Sequence, residues 1–472
     1  MSRVSGSPIG VTNEQLARHG IRLEPVLQAI SDFLDENDEL VELVRCDLTR
    51  GLKNPARGRR GLTPGQVLRS LILMRIKNWD YRELRERIAD GCTLRQFTEF
   101  HWKAVPKHDA FNRAHNRLTP ETLKALNEVV VQVAVGLRLE DGKKLRVDTT
   151  VVQTDVHHPT DNTLLWDVVR VITRAVGRLA KKVEPTFEGF RNRTRAARRR
   201  MQEIQRMTTK QRSTQQNGKY RELIAIAEEV VAGARLVVQK TKNARGRNLA
   251  DKLAIDASKK EIEHFCELGD RVINQTRRRV LEGKQVPTAE KIYSIFEPHT
   301  DLIKRGKVRT PMEFGHKVFI AESSQGLITQ YEVLDGNPSD EQHVTTSLKR
   351  HRQTFDRAPE VYGADRAFFS EDNVKSCKGD GVKMVSIPQR GGVRSPKREA
   401  YEKRRDFKDG QRFRAGIEGS ISVLFRGRGM KRCLAEGRAR FELLVGAAVL
   451  ANNLMRIAAL LTKQSLRKRR AA

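Results

Sequence analysis

Apolar residues recur every three or four positions through most of the first 138 residues, a spacing that predicts helices rather than strands. From Gln15 to about Thr49 the pattern is carried by Ile21, Leu23, Val26, Leu27, Ile30, Phe33, Leu34, Leu40, Leu43 and Val44. A basic connector containing Gly and Pro, GLKNPARGRRG, follows. Thr63-Pro64 then places a capping hydroxyl before a proline at the first helical position, opening a helix through Val67, Leu68, Leu71, Ile72 and Met74. Asp80 and Glu83 have capping-box spacing at the start of YRELRERIAD, which Gly91 ends. Thr119-Pro120 begins another helix through Leu123, Leu126, Val129, Val130 and Val133. Residues 1–138 therefore read as an all-helical domain. Its short, Arg-rich helices suit either a helix-turn-helix DNA reader or a helical bundle with a solvated basic face.

The period changes at Leu145, where LRVDTTVVQT alternates and is rich in β-branched residues, as a strand is. Helical spacing returns over residues 164–297, first through Leu164, Val168, Val169, Ile172, Val176 and Leu179, then past the very basic RNRTRAARRRMQEIQRMTTKQR. STQQNG at 213–218 predicts a turn, with YRELIAIAEEVVAGARLVV as the next helix. Beyond about residue 298, HKVFIAES and LITQYEVLDGN are separated by Ser-Gln-Gly and predict a hairpin. A helix (EQHVTTSLKRHRQTF), a strand (EVYGADRAF), a short helix after Ser370, a strand (VKMVSIPQ) and a helical region from about Phe413 complete the order. Strands alternating with helices in this way predict an α/β fold on a mixed sheet. Its two parts are 139–163 and 298–462, separated by a basic helical insertion at 164–297 and followed by a basic, mobile tail at 463–472. The most apolar run, Leu443 to Leu461, is interrupted by Asn452, Asn453 and Arg456, which suits a buried helix better than a bilayer span.

Composition adds a partner. A chain of 472 residues is long enough for two or three domains, and 38% hydrophobic residues still allow a core. Lys and Arg number 90 against 58 Asp and Glu, a formal charge of +32, which repels itself unless a polyanion neutralises it; nucleic acid is the leading partner. The five cysteines show no CxxC or zinc spacing and read as reduced thiols of a cytosolic protein. The first residues lack the basic-then-apolar order of a secretory signal, and no GxxxxGK[ST] loop marks a nucleotide triphosphatase.

Three carboxylates carry candidate chemistry. Asp148 sits between Val147 and a β-branched run, where an uncompensated buried charge is costly; it either binds a metal or lies on the solvent face of an edge strand. Asp365 ends VYGAD in the same way, and Glu418 adjoins an apolar helix face of Phe413, Ile417, Ile421 and Leu424 from which it can point back at the sheet. Two strand-borne aspartates and a helix-borne glutamate are a ligand set for hard cations such as Mg²⁺, which clamp the attacking and leaving oxygens of a phosphoryl displacement. Other candidates have simpler readings. TDVHHPTDN reads as a loop closing on a helix, with Asp161 and Asn162 as its cap, and the adjacent His157 and His158 point apart. Asn337, Ser339 and Asp340 predict a turn and a cap. Trp79 and Trp102 read as core, whereas Trp166, soon after the strand, is a candidate DNA contact.

The order VDTT, HHPTDN, VLDGNPSD, GADRAF and RAGIEGSISVLFRGRGMKRC resembles the insertion-sequence DDE transposases, nearest to the ISNCY type. Leu62 to Leu118 also resembles their N-terminal domain, so the likeness spans about residues 60–460. It implies an RNase H-like core with Asp148, Asp365 and Glu418 as catalytic residues and ligands of Mg²⁺, for which Mn²⁺ can substitute. It further implies cleavage at the element's inverted-repeat ends, transfer of the 3′-OH into target DNA, a homodimer in a synaptic complex, and action in the bacterial cytoplasm at the nucleoid. Arg414 fits the Tyr-x2-Arg-x3-Glu-x6-Lys pattern of many relatives, but Gln411 stands at the tyrosine position and Phe425 at the lysine position. Arg426 or Lys431 then supplies the missing charge and, with Arg366, Arg414 and Trp166, makes up the expected DNA contacts. The long insert lies between the two aspartates, whereas some relatives place theirs before the glutamate. The alternatives are another RNase H-like nuclease, such as a resolvase, and a domesticated DNA-binding protein without catalysis.

Overall fold

The first helices form where their caps dictate. In the computed structural model, which describes residues 22–54, 61–183, 190–242, 244, 248–304 and 312–471, α1 (Pro25–Asp35) and α2 (Asp38–Thr49) open the chain. The part of the expected first helix before Arg22, residues 55–60 of the connector, and all side chains beyond Ser465 lie outside the described residues. In α3 (Pro64–Lys77) the capping box is complete: Gln66 N–H donates to Thr63 Oγ1 at 3.2 Å and Thr63 N–H donates to Gln66 Oε1 at 3.0 Å. For α4 (Tyr81–Asp90) the Asp80 carboxylate caps by accepting from both Arg82 and Glu83 N–H. Then come α5 (Cys92–Phe97), α6 (His108–His115) and α7 (Pro120–Gly136), the last capped by Thr119. α3 is buried almost all round, as a central helix must be.

The expected first strand is β1 (Lys144–Thr154). The chain divides into two compact units, Met1–Gln153 with Lys317–Ala472, and Thr154–His316. The second unit holds α8 (Asp161–Ala180), α9 (Thr194–Arg206), α10 (Thr209–Lys240) and α11 (Leu249–Thr276), whose apolar stripes form their own core. The turn expected at 213–218 does not form, since α10 runs straight through it. A helix-interior glycine costs only about 1 kcal/mol, less than the buried face from Tyr220 to Val237 returns. The α8 cap is also corrected: Thr160 with Thr163 closes the start, while Asp161 accepts from Arg279 at 2.8 Å and Asn162 donates to the Met201 carbonyl. In the same unit β2 (Asp301–Lys304) runs antiparallel to the start of β3 (Met312–Ser323).

The first unit resumes with the rest of β3 and the expected hairpin partner β4 (Ile328–Val333). It continues through α12 (Val344–Phe355), β5 (Val361–Gly363), α13 (Glu371–Gly379), β6 (Met384–Ser386), α14 (Pro396–Lys403), α15 (Arg405–Gly427), β7 (Arg432–Cys433) and α16 (Arg438–Ala471). The sheet is mixed, as expected: β5 is parallel to β1 and β6, and β4 is antiparallel to β3. Side chains alternate across it. Leu145, Val147, Phe319, Ala321, Tyr362 and Ala364 share a core with α12 and α13, whereas Val152, Val318 and Ile320 pack with Ile417 and Leu424 of α15 and Phe441 and Val445 of α16. Farther along, α16 contributes Leu450, Leu454 and Ile457 to the core of α1–α7. Its Arg438–Ser465 stretch is apolar and long enough to span a membrane by length and composition, yet most of that surface is buried here. The basic residues expected in a tail continue its backbone as helix to Ala471.

Candidate active site

The alternation that buries Leu145 and Val147 on one face turns Arg146 and Asp148 to the other, toward α15. β1 and β5 pair in parallel with Arg146 opposite Gly363, and the same offset continued by two residues sets Asp148 level with Asp365. Both aspartates thus stand side by side just past the paired end of β5. Each commits one oxygen to backbone: Asp148 Oδ1 accepts from Thr149 N–H and Asp365 Oδ1 from Ala367 N–H, both at 2.8 Å. Their second oxygens face one guanidinium. Arg414 Nη2 lies 2.8 Å from Asp148 Oδ2 and 3.8 Å from Asp365 Oδ2, and its Nη1 is 3.1 Å from Glu418 Oε1.

Helix α15 is held close to bring Arg414 there. A Cβ at Gly410 would collide with Ser386 of β6, and one at Gly416 would collide with the Arg146 guanidinium. Arg146 makes a two-pronged ion pair with the fully buried Glu322 of β3, at 3.0 and 2.8 Å, and donates to the Phe413 carbonyl at 2.7 Å. Ser420 Oγ donates to the same glutamate at 2.7 Å, so the pair clamps α15 on both sides of Gly416. Gln411, the residue at the tyrosine position, donates to Ser386 O at 2.6 Å and Ala364 O at 3.2 Å, fastening the helix to the ends of β5 and β6. Phe425, at the lysine position, packs against the apolar core instead.

Glu418 differs from its expected orientation. Ile417 and Leu424 are buried, but the Glu418 side chain is 68% exposed and joins the cluster through Arg414 rather than by pointing into the sheet. Arg366 is exposed beside Asp365, and Arg426 and Lys431 are exposed at and beyond the end of α15. Trp166 belongs to the second unit, half-buried against its core. His157 lies 3.6 Å from Asp167 and His158 packs edge-on to Phe314, so neither histidine faces the other.

One residue was misread from sequence. Asp340 does not cap a helix: its carboxylate accepts from Thr149 Oγ1 at 2.9 Å and pairs with Lys317 Nζ at 2.7 Å, next to Asp148. Nothing local in DGNPSD distinguishes that role from a turn, because both partners come from distant strands. The cluster therefore gathers four carboxylates around Arg414 and Lys317. Among the described residues no three carboxylate, imidazole or thiol groups converge tightly enough to hold a metal ion by themselves. The guanidinium of Arg414 stands between Asp148, Asp365 and Glu418.

The Asp148 carboxyl is pushed up to about 6, first by burial, then by Asp365 and Asp340, with Arg414 opposing. A carboxyl whose folded value is raised favours the fold while protonated, so its contribution is full below about pH 4 and is lost as pH rises through 6. In EDTA, Asp148→Asn is expected to be more stable than the unmutated chain at pH 7.5 by about 1–3 kcal/mol, with the gap closing below pH 4. Urea unfolding at the two pH values tests this; a less stable variant at pH 7.5 contradicts it.

Two stretches of the chain match families of known proteins. Residues 275–454 match the Transposase DDE domain, and residues 22–117 match the Transposase domain (DUF772). No curated protein and no solved structure matches it. Both families are transposases, which is the class that this α/β chain with its carboxylate cluster joins. The DDE match takes in Asp365, Arg414 and Glu418, while Asp148 lies upstream, across the helical block. Together they show that the chain belongs to the insertion-sequence DDE transposases.

Proposed function

We propose that this chain cuts DNA at the ends of a mobile element and transfers the freed 3′-OH into target DNA, using Asp148, Asp365 and Glu418 on an RNase H-like core. The observation that carries this reading is the convergence of the three carboxylates on one guanidinium, two of them level on adjacent parallel strands. The motif order favours the ISNCY type.

The donor set fits a divalent metal. Among the described residues the cluster offers oxygen ligands, which suit Mg²⁺ with Mn²⁺ as a substitute, and its four carboxylates face the two side-chain cations Arg414 and Lys317. Asp148, Asp365 and Glu418 would hold the ion, which supplies charge stabilisation to the oxygens that attack and leave phosphorus. The chain's own residues do the rest. Arg414 holds the carboxylates together, and Asp340 fixes Thr149 next to Asp148. The exposed Arg366, Arg426 and Lys431 are placed to bind backbone phosphates of the strand being cut, and Trp166 to contact DNA from the second unit. Holding one end while another is cut requires two copies, so the acting form is a homodimer paired on two ends, in the bacterial cytoplasm at the nucleoid.

The test is strand cleavage of a labelled duplex carrying the element's end, in Mg²⁺, Mn²⁺ or EDTA. Nicking at the end in either metal and none in EDTA is the expected result. Tight binding to the end without cleavage in any metal would replace this reading with that of a non-catalytic DNA-binding protein.

A further inference from the structure

A second site lies in the first unit, away from the carboxylates. The turn after α3, the start of α4, α6, the loop after α15 and the start of α16 enclose a cavity of about 610 Å³. That volume is within the roughly 300–1,000 Å³ usual for ligand pockets. Arg75, on α3, lines it. The residue is largely buried, its Nε has no hydrogen-bond partner, and no carboxylate lies within ion-pair distance of its guanidinium among the described residues. Of the titratable groups around it, burial raises the Tyr81 hydroxyl and keeps the His115 imidazole neutral, down at about 3.

The two acids that line the cavity do not compensate it. Asp80 Oδ1 is occupied by the Arg82 and Glu83 N–H groups at 2.8 and 2.9 Å, and Glu436 is exposed at the rim. A largely buried guanidinium whose Nε has no partner is expensive, and the fold gains nothing from it that leucine or methionine would not supply. A planar fork of donors opening into a cavity is instead what recognises a phosphate or carboxylate. The other walls narrow the choice. Arg432 and Arg440 add two exposed cations, the rings of Trp79 and Tyr81 form an aromatic wall, Asn78, Asn112 and Asn116 supply amides, and Leu434 stands 74% exposed at the mouth. Cations beside an aromatic face are the elements with which proteins hold a nucleotide of a strand.

We infer that this cavity takes one nucleotide of a DNA strand, with its phosphate on Arg75 and Arg440 and its sugar and base against Trp79 and Tyr81. The inference rests on DNA being the substrate, and it assigns DNA contact to the region matched as a transposase domain at 22–117, which holds Arg75, Trp79 and Tyr81.

The experiment uses the full chain and its Arg75→Met and Arg75→Lys variants. Thermal unfolding is measured for each, and binding of a labelled oligonucleotide, single-stranded and duplex, is followed by anisotropy across a range of salt. Arg75→Met is expected to unfold at the same or a higher temperature. It should bind the oligonucleotide about tenfold more weakly, with the salt slope reduced by about one, and Arg75→Lys should fall between. A lower unfolding temperature with unchanged binding would make Arg75 a structural cation and overturn the inference. Thymidine monophosphate or inorganic phosphate that protects unmutated protein but not Arg75→Met from unfolding, with oligonucleotide binding equal in both, would mean a free anion rather than a strand, and also overturns it. In either case end cleavage that persists leaves the transposase reading standing. Failure of the unmutated protein to bind any DNA would defeat both.

Discussion

Asp148→Asn and Asp365→Asn are each expected to lower metal-dependent strand cleavage by roughly a thousandfold or more, the effect of losing about 4 kcal/mol of barrier stabilisation. The geometry argues for an all-or-none loss. Both aspartates already spend one oxygen on a backbone N–H, so each has only the oxygen that faces Arg414 to offer, and an amide there presents either a neutral oxygen or a donor. Glu418→Gln should lose as much if Glu418 turns inward from its exposed position, and much less if another acid acts in its place. Binding to the end sequence should be retained in all three, because none of these side chains attracts phosphate. Cleavage rates beside anisotropy on the same duplex separate the two effects. Full activity in either aspartate variant would remove the triad from the account.

The second large effect is on stability. Glu322→Gln is expected to destabilise the first unit by about 3–5 kcal/mol, the usual result of removing one partner of a buried ion pair. Arg146 would keep its bond to the Phe413 carbonyl but lose the charge that justifies its burial, and Ser420 would lose its strongest acceptor. Replacing both members with apolar residues, Arg146→Met with Glu322→Leu, should recover much of the loss. Urea unfolding of the single and double variants gives the comparison; a cost below about 1 kcal/mol for Glu322→Gln would show that the pair is not what fastens α15.

Much of this molecule was legible locally. Thr63-Pro64, Asp80 and Thr119 are caps because hydroxyl and carboxylate oxygens satisfy the free N–H groups of a helix start, a rule that needs no tertiary information. The alternating pattern around Asp148 identified β1, and the three candidate carboxylates could be singled out because they fall in strand- and helix-like patterns. What failed depended on distant partners. STQQNG looks like a turn until the length of α10 and its buried face are known. Asp340 looks like a cap until β1 and β3 bring Thr149 and Lys317 beside it. Arg414 and Glu418 stand at helical spacing, but the pairing of Arg146 with Glu322, and of Arg414 with Asp148 and Asp365, joins residues far apart in sequence with no periodic signal between them.

The core shared by α1–α7 and α16 bears on the order in which this protein is made. Phe33, Leu68, Leu71 and Leu126 emerge from the ribosome well before part of the surface they pack against, which includes Leu450, Leu454 and Ile457. The early helices must therefore remain incompletely covered until α16 has been made, with apolar faces open to chaperones and to one another. A messenger broken before the codons for α16 would yield a polypeptide with an unfinished N-terminal region, and so a product suited to degradation.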